Sequence, residues 1–446
     1  MADKRLALYD NILKVNSIDP EYYRRFDVKR GLRNSDGTGV IAGVTNISNV
    51  HGYMISDGQK VAAPGKLTLR GYNIYDLVKN AGIDGRFGYE EIAYLLMCGD
   101  LPTSSELTEF ISYLDSWREL PDGFTADFIM RTTSSNIMNT LARCILFLYA
   151  DDPKAEDRSL DHEIQTAISL LSRLPRIMVL SYYAKQAKFN HDSMIMHRFV
   201  PGQSTAETIL SMLRPDRSFT PEEARMLDVM LSLHAEHGGG NNSTFVCRVI
   251  SSADTDPYSA YAAAIGSLKG SKHGGANHKV RAMQAEIKEH VKDWENEDEL
   301  ADYLAKIVRK EAFDRTGLIY GMGHAVYTQS DPRAVLCKYY ASKLAEGTEF
   351  EAEYRLLETI ERISPAVIAD VRGTKKEMCA NIDMYTGFVY NMMGIPEDIF
   401  TPLFACGRMA GWAAHRFEEI ISGKRIIRPA YKTTVVDREY RPISER

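Results

Sequence analysis

A chain of 446 residues, 44% of them hydrophobic and 26% charged, can bury a sizeable core and is too apolar for extended disorder. Its 54 Lys and Arg against 60 Asp and Glu leave a formal charge of −6, which argues against nucleic acid as a partner. No apolar run follows the first five residues and no stretch of about 18 uncharged apolar residues occurs, so neither secretion nor a membrane span is expected. The six cysteines (Cys98, Cys144, Cys247, Cys337, Cys379, Cys406) form no C-x-x-C, unlike a zinc cluster or a disulfide framework, and fit a reducing cytoplasm.

Length alone suggests about three domains. Residues 39–70 are the one β-like region: Val40-Ile41, Val44-Thr45, Tyr53-Met54 and Leu67–Leu69 lie among glycines, with Asp57-Gly58 as a hairpin signal. Helical periodicity then takes over. Ile92, Leu95 and Leu96 precede Gly99, and Leu107, Phe110, Ile111 and Leu114 follow the capping candidates Thr103 to Ser105. Further helices are expected over 137–149, 162–174, 177–188, 221–237 and 257–269. From 277 to 381 the apolar stripes carry dense Lys and Glu, over 280–291, 299–310, 333–344 and 351–363, as in a smaller, more solvated helical lobe. Apolar helices return over 385–393 and 399–421, and no fixed-period repeat is present.

Four polar clusters interrupt this pattern. His234-Ala-Glu-His237 precedes three glycines and Asn241; its histidines would share a helix face, but the spacing lacks the H-E-x-x-H of a zincin, and a partly buried helix end explains it as well. His273, in Gly270-Ser-Lys-His-Gly-Gly-Ala-Asn277, follows a helix-like run and could merely cap its C-terminus. Gly321-Met-Gly-His324 lacks the preceding strand and third glycine of a dinucleotide loop, and Asp331-Pro-Arg333 follows it. Asp383 opens an apolar segment, where it could be an N-cap, and Arg408 sits in an apolar helix, where an unpaired charge is costly and an anion should meet it.

Taken in order, from Gly31-Leu-Arg-Asn and Leu69-Arg-Gly-Tyr72 through these clusters to Arg428-Pro429, the motifs resemble citrate synthase. The resemblance implies a mainly α, two-domain fold with a short N-terminal β region, a large domain from 1–277 and 383–446 and a small one from 278–382. It further implies a homodimer that condenses acetyl-CoA with oxaloacetate and hydrolyses the product to citrate and CoA, with no cofactor and no metal. By motif Asp383 matches the base, His273 the donor to the enolate and His324 the group that polarises the ketone. Arg333, Arg408 and Arg428 match carboxylate-binding arginines, Arg428 reaching the neighbouring subunit's site; His237, in His-x-x-x-Asn241, matches a further oxaloacetate ligand, and Ser243 is implied as a hydrogen-bonding neighbour of His273. For CoA, Leu318, Gly321, Gly323, Lys375 and Lys376 are implied, although Ala325 and Thr328 replace basic residues common in relatives. The extra β-rich domain of hexameric, NADH-inhibited members is not evident, so a dimer without that control is expected. The rivals are 2-methylcitrate synthase, which takes propionyl-CoA, a citryl-CoA lyase, a silent oxaloacetate-binding homologue and a metal-dependent hydrolase.

Overall fold

The computed structural model describes residues 12, 15–34, 38–56, 59–83, 85–373 and 377–445. The chain forms two compact units, Met1–Ala42 with Ile427–Arg446, and Gly43–Ile426. The first holds the short helix α1 (Glu21–Arg25) and a bridge between Arg33 and Gly39.

The second unit begins with an antiparallel sheet of β1 (Ser48–Ser56), β2 (Gln59–Leu69) and β3 (Tyr72–Asn73), in that order. The sheet is shorter than the sequence suggested: Val40-Ile41 and Val44-Thr45 lie outside it, Ile41 and Val44 are exposed, and the Val40 amide pairs with the Leu32 carbonyl at 2.8 Å instead. The Asp57-Gly58 turn lies outside the described residues. The β1–β2 register shifts between His51 and Tyr53. A Cβ on the intervening Gly52 would sit 2.7 Å from the carbonyl oxygen of Val326, so only glycine lets the hairpin back the loop that follows His324.

Among the described residues the elements that follow the sheet are helices, as expected: α2 (Ile74–Ile83), α3 (Tyr89–Cys98), α4 (Ser104–Ser116), α5 (Ile137–Asp151), α6 (Leu160–Lys185), α7 (Thr205–Leu213), α8 (Pro221–His234), α9 (Asn242–Ser251) and α10 (Pro257–Leu268). There follow α11 (Ala276–His290), α12 (Glu297–Val308), α13 (Pro332–Ala345), α14 (Glu351–Arg372), α15 (Asp383–Met392) and α16 (Phe400–Ser422). Local rules explain several ends. Thr103, Ser204 and Thr220 each form a full capping box with a glutamate three residues on, and Gly99 terminates α3 at φ +97°.

Two readings change. The segments 162–174 and 177–188 are one helix that accommodates Pro175 internally, since tertiary packing of its almost wholly buried length outweighs the local penalty. Helix α8 stops at His234, so His234 and His237 do not share a helix face; His237 lies in the glycine-rich turn beyond.

The deepest element is α16, buried from Phe400 to Phe417. Its small residues set its position. A Cβ on Gly407 would lie 2.9 Å from the carbonyl oxygen of Leu231, so α16 can approach the end of α8 only without a side chain there. This close crossing brings Arg408 against the turn that carries His237.

Candidate active site

Six segments of the second unit meet here: the turn after α8, the start of α9, the loop between α10 and α11, the 319–333 loop with α13, the start of α15, and the middle of α16.

His273 occupies the loop between α10 and α11, where its amide bonds the carbonyl of Gly270 at 2.9 Å and its carbonyl accepts from the amide of Ala276 at 3.0 Å. The alternative reading of His273 as a C-cap does not hold: α10 ends at Leu268, and His273 sits two residues before the N-cap Gly275 of α11, at the positive end of a helix dipole. Burial pushes its pKa down to about 4, and Arg408 and Arg333 add to the effect. The imidazole is therefore neutral. The Ser243 amide donates to its Nε2 at 3.4 Å, which makes Nε2 the acceptor and leaves the proton on Nδ1. Ser243 Oγ lies 3.1 Å from the same nitrogen, bonds Asn241 Oδ1 at 3.0 Å and accepts from Trp412 Nε1 at 3.1 Å.

His324 is fixed in the opposite tautomer. The amides of Val326 and Tyr327 both donate to its Nδ1, at 3.0 and 3.1 Å, so Nε2 carries the proton. Its ring stacks on Tyr327 at 4.6 Å and meets that of His237 edge-on at 5.1 Å. His237 Nε2 is 3.3 Å from the Tyr327 hydroxyl, and burial, followed by Arg333, holds this histidine well below its usual pKa.

The loop bearing His324 is tied to the approach of α15. The Asn381 amide donates to the Gly321 carbonyl at 2.9 Å, the Gly323 amide to Cys379 at 2.8 Å, and Asn381 Nδ2 to the Gly323 carbonyl at 2.9 Å. At φ +86°, with a Cβ position 3.1 Å from Met384 Cα, Gly321 is needed for this contact.

Asp383 is the first residue of α15 but does not cap it; Ile382 is the N-cap, and Asp383 Oδ1 is buried without a hydrogen-bond partner. Burial raises its pKa to about 7, more than the opposing pull of Arg333 offsets. A carboxylate that titrates near neutrality and is not tied up by hydrogen bonds can accept a proton.

The two arginines differ. Arg333 is clamped by its neighbour: its Nε and Nη2 donate to the two oxygens of Asp331 at 3.1 and 2.7 Å. Arg408 is fully buried, its Nε donates to the His234 carbonyl at 2.6 Å, and Nη1 and Nη2 have no partner. No carboxylate of the described protein bonds that fork. Glu236 is the nearby negative charge that favours it, while burial pulls its pKa down to about 10. A pair of unsatisfied, parallel donors suits a carboxylate ligand.

The site thus brings together Asp383, His273, His324, His237, Arg333, Arg408, Asn241 and Ser243. Leu318 is half exposed on the loop leading to Gly321 and Gly323, Lys375 and Lys376 lie outside the described residues, and Arg428 belongs to the first unit, where it is exposed. Sequence reasoning did not assign Trp412, Tyr327, Asp331, Glu236 or His234. Tyr327 and Asp331 adjoin quoted motifs, and Glu236 separates two histidines, which was the available signal. His234, buried with both ring nitrogens unpartnered, stacks on Phe404 at 4.2 Å, the ring over which Arg408 also lies. Among the described residues no group of three or more His, Cys, Asp or Glu is arranged for a metal ion, and no helix is long and apolar enough to cross a membrane.

Residues 34–430 match the family model described as citrate synthase, C-terminal domain. The chain belongs to the citrate synthase family. Relatives of two names match it. It is 34% identical over 394 residues to 2-methylcitrate synthase of Shewanella oneidensis, covering 85% of this chain and 92% of that protein. It is 32% identical over 430 residues to citrate synthase of Haloferax volcanii, covering 94% and 99%. Among solved structures, the complex of carboxymethyl coenzyme A and oxaloacetate with Thermoplasma acidophilum citrate synthase superposes with a TM-score of 0.75 at 26% identity, covering 94% of this chain and 99% of that one. Citrate synthase from Thermotoga maritima gives 0.72 at 27%, covering 92% and 99%. The helical architecture is therefore that of the citrate synthase family.

Proposed function

We propose that this enzyme condenses acetyl-CoA with oxaloacetate to give citrate and CoA. The observation that carries the reading is the Asp383 carboxylate, its Oδ1 buried without a partner and its pKa raised to about 7, beside His273 and His324 held in opposite tautomers. Asp383 takes a methyl proton of the acetyl group, and the C–H electron pair moves into an enolate whose oxygen accepts from Nδ1–H of His273. The methylene carbon attacks the ketone carbon of oxaloacetate, the ketone oxygen takes the proton of His324 Nε2, and exchange with solvent later returns a proton to His324 as Asp383 gives up the one it took. Water then cleaves the thioester of citryl-CoA, releasing citrate and the thiol of CoA. Arg408, Arg333 and His237 hold the oxaloacetate carboxylates, with Arg428 of a second subunit completing the set in a homodimer. No cofactor beyond the substrates enters the scheme. A small lobe of about 278–382 closes on the large one formed by the segments that flank it in sequence, 1–277 and 383–446, and a cytoplasmic enzyme fits the free cysteines.

Propionyl-CoA, giving 2-methylcitrate, is the second reading, favoured by the Shewanella oneidensis relative. One methylene changes selectivity by only about 1–3 kcal/mol. Measuring CoA release with each acyl-CoA and oxaloacetate decides: a higher kcat/KM for acetyl-CoA supports the first reading, and a strong propionyl preference replaces it with the second.

A further inference from the structure

A cavity of about 740 Å³ opens between α2, α8 and α13, lined by none of the residues assigned above to catalysis or substrate binding. It lies within the usual size range of small-molecule sites, about 300–1,000 Å³. Each helix contributes a stripe at helical spacing: Tyr75, Val78 and Lys79 from α2, Arg225, Met226 and Val229 from α8, and Leu336, Tyr340 and Leu344 from α13. Val78, Met226 and Leu336 are buried and make an apolar floor.

The polar lining is one-sided. Lys79, Arg86, Arg225 and Lys343 stand at the cavity against the exposed carboxylate of Glu222. Arg86 also reaches Glu91 at 3.5 Å, and Lys343 lies 4.4 Å over the ring of Tyr339, itself edge-on to Tyr340 at 5.2 Å. The remaining acid, Asp228, is buried and engaged by the amides of Gly88 and Tyr89 at 2.7 and 3.0 Å, where it anchors the start of α3. An apolar floor, three tyrosines and a cationic rim suit a flat ring that carries one anionic group.

The walls are also the supports of the active site. Helix α8 runs from Glu222 in the cavity to His234 and the turn of His237, and α13 runs from Leu344 back to Arg333. A ligand held between these helices would bear on the two elements that carry active-site groups at their other ends. We propose that this cavity binds a small aromatic anion, a phosphate or carboxylate on a planar ring, and thereby changes the affinity of the active site for oxaloacetate. The coupling rests on the function proposed above; the binding does not.

Calorimetric titration of the full chain with AMP and, separately, indole-3-acetate tests both sources of that chemistry. We expect one of them to bind with 1:1 stoichiometry when CoA and oxaloacetate are already saturating, and Arg225→Glu or Lys343→Glu to weaken it at least tenfold while leaving the kcat measured without it unchanged. The oxaloacetate dissociation constant should shift severalfold with the bound anion, and the anion's constant by the same factor with oxaloacetate. Binding of neither probe, displacement by CoA, or indifference to both substitutions overturns the site. Binding that leaves oxaloacetate affinity unmoved overturns the coupling, and failure of oxaloacetate itself to bind overturns the function proposed above while leaving the titration of the cavity valid.

Discussion

Ser243 meets Nε2 of His273 twice, through its amide at 3.4 Å and its hydroxyl at 3.1 Å. The hydroxyl is in turn held by Trp412 and Asn241, so a serine at the start of α9 orients an imidazole in another loop. Ser243→Ala should lower kcat by about 10- to 100-fold through misplacement of the His273 proton, with the oxaloacetate KM nearly unchanged. Steady-state kinetics checks this; an unaltered kcat removes Ser243 from the mechanism.

Asp383 gives a pH signature. Its carboxyl must be ionised to accept a proton, and its pKa is raised to about 7 by burial, so kcat/KM should fall about tenfold per unit below that value. Asp383→Asn should reduce kcat by about 10²–10⁴ and remove this limb while oxaloacetate still binds. Stability gives an independent reading. A carboxyl raised in the fold stabilises it below the unfolded pKa near 4, and that contribution is lost as pH rises through about 7. The melting temperature of the asparagine variant should therefore gain on the wild type between pH 4 and 8.

Arg408 presents two unpartnered terminal nitrogens in a fully buried position. Arg408→Gln should raise the oxaloacetate dissociation constant by about 10²-fold or more, the scale of a lost charge-assisted pair. Titration of the two proteins measures it. Equal affinities would mean that the fork binds no substrate carboxylate.

Glu236 is buried and accepts from Ser48 Oγ at 2.8 Å, the Gly238 amide at 2.5 Å and His415 Nε2 at 2.9 Å. Burial alone would raise its pKa, but His415 and Arg408 outweigh this and hold it down to about 2. Glu236→Ala leaves those donors unpaired and Arg408 without its counter-charge, and should destabilise the protein by about 3–5 kcal/mol. Denaturant unfolding checks the loss.

Gly321→Ala forces an L-residue to φ +86° with its Cβ 3.1 Å from the backbone of Met384. Stability should fall by about 1–3 kcal/mol, and turnover more than binding, because the shift separates His324 from Asp383. Retention of full kcat would show that the loop relaxes without moving either group.

The chain itself determined most of the helical architecture, because periodic apolar stripes and caps such as the Thr103–Glu106 box are local signals. It also marked the histidines, arginines and aspartate by their order among glycines, since close backbone approach leaves a compositional trace. The end of α8 before His237 and the continuity of α6 through Pro175 were not legible, because packing against distant helices decides both. The charge states lay further out of reach. As a C-cap, His273 would have a raised pKa; the tertiary structure sets it before α11, partly buried near Arg408 and Arg333, where it falls to about 4. Residue types were a property of the chain, whereas burial and the charges of neighbours far away in sequence decided which proton each group carries.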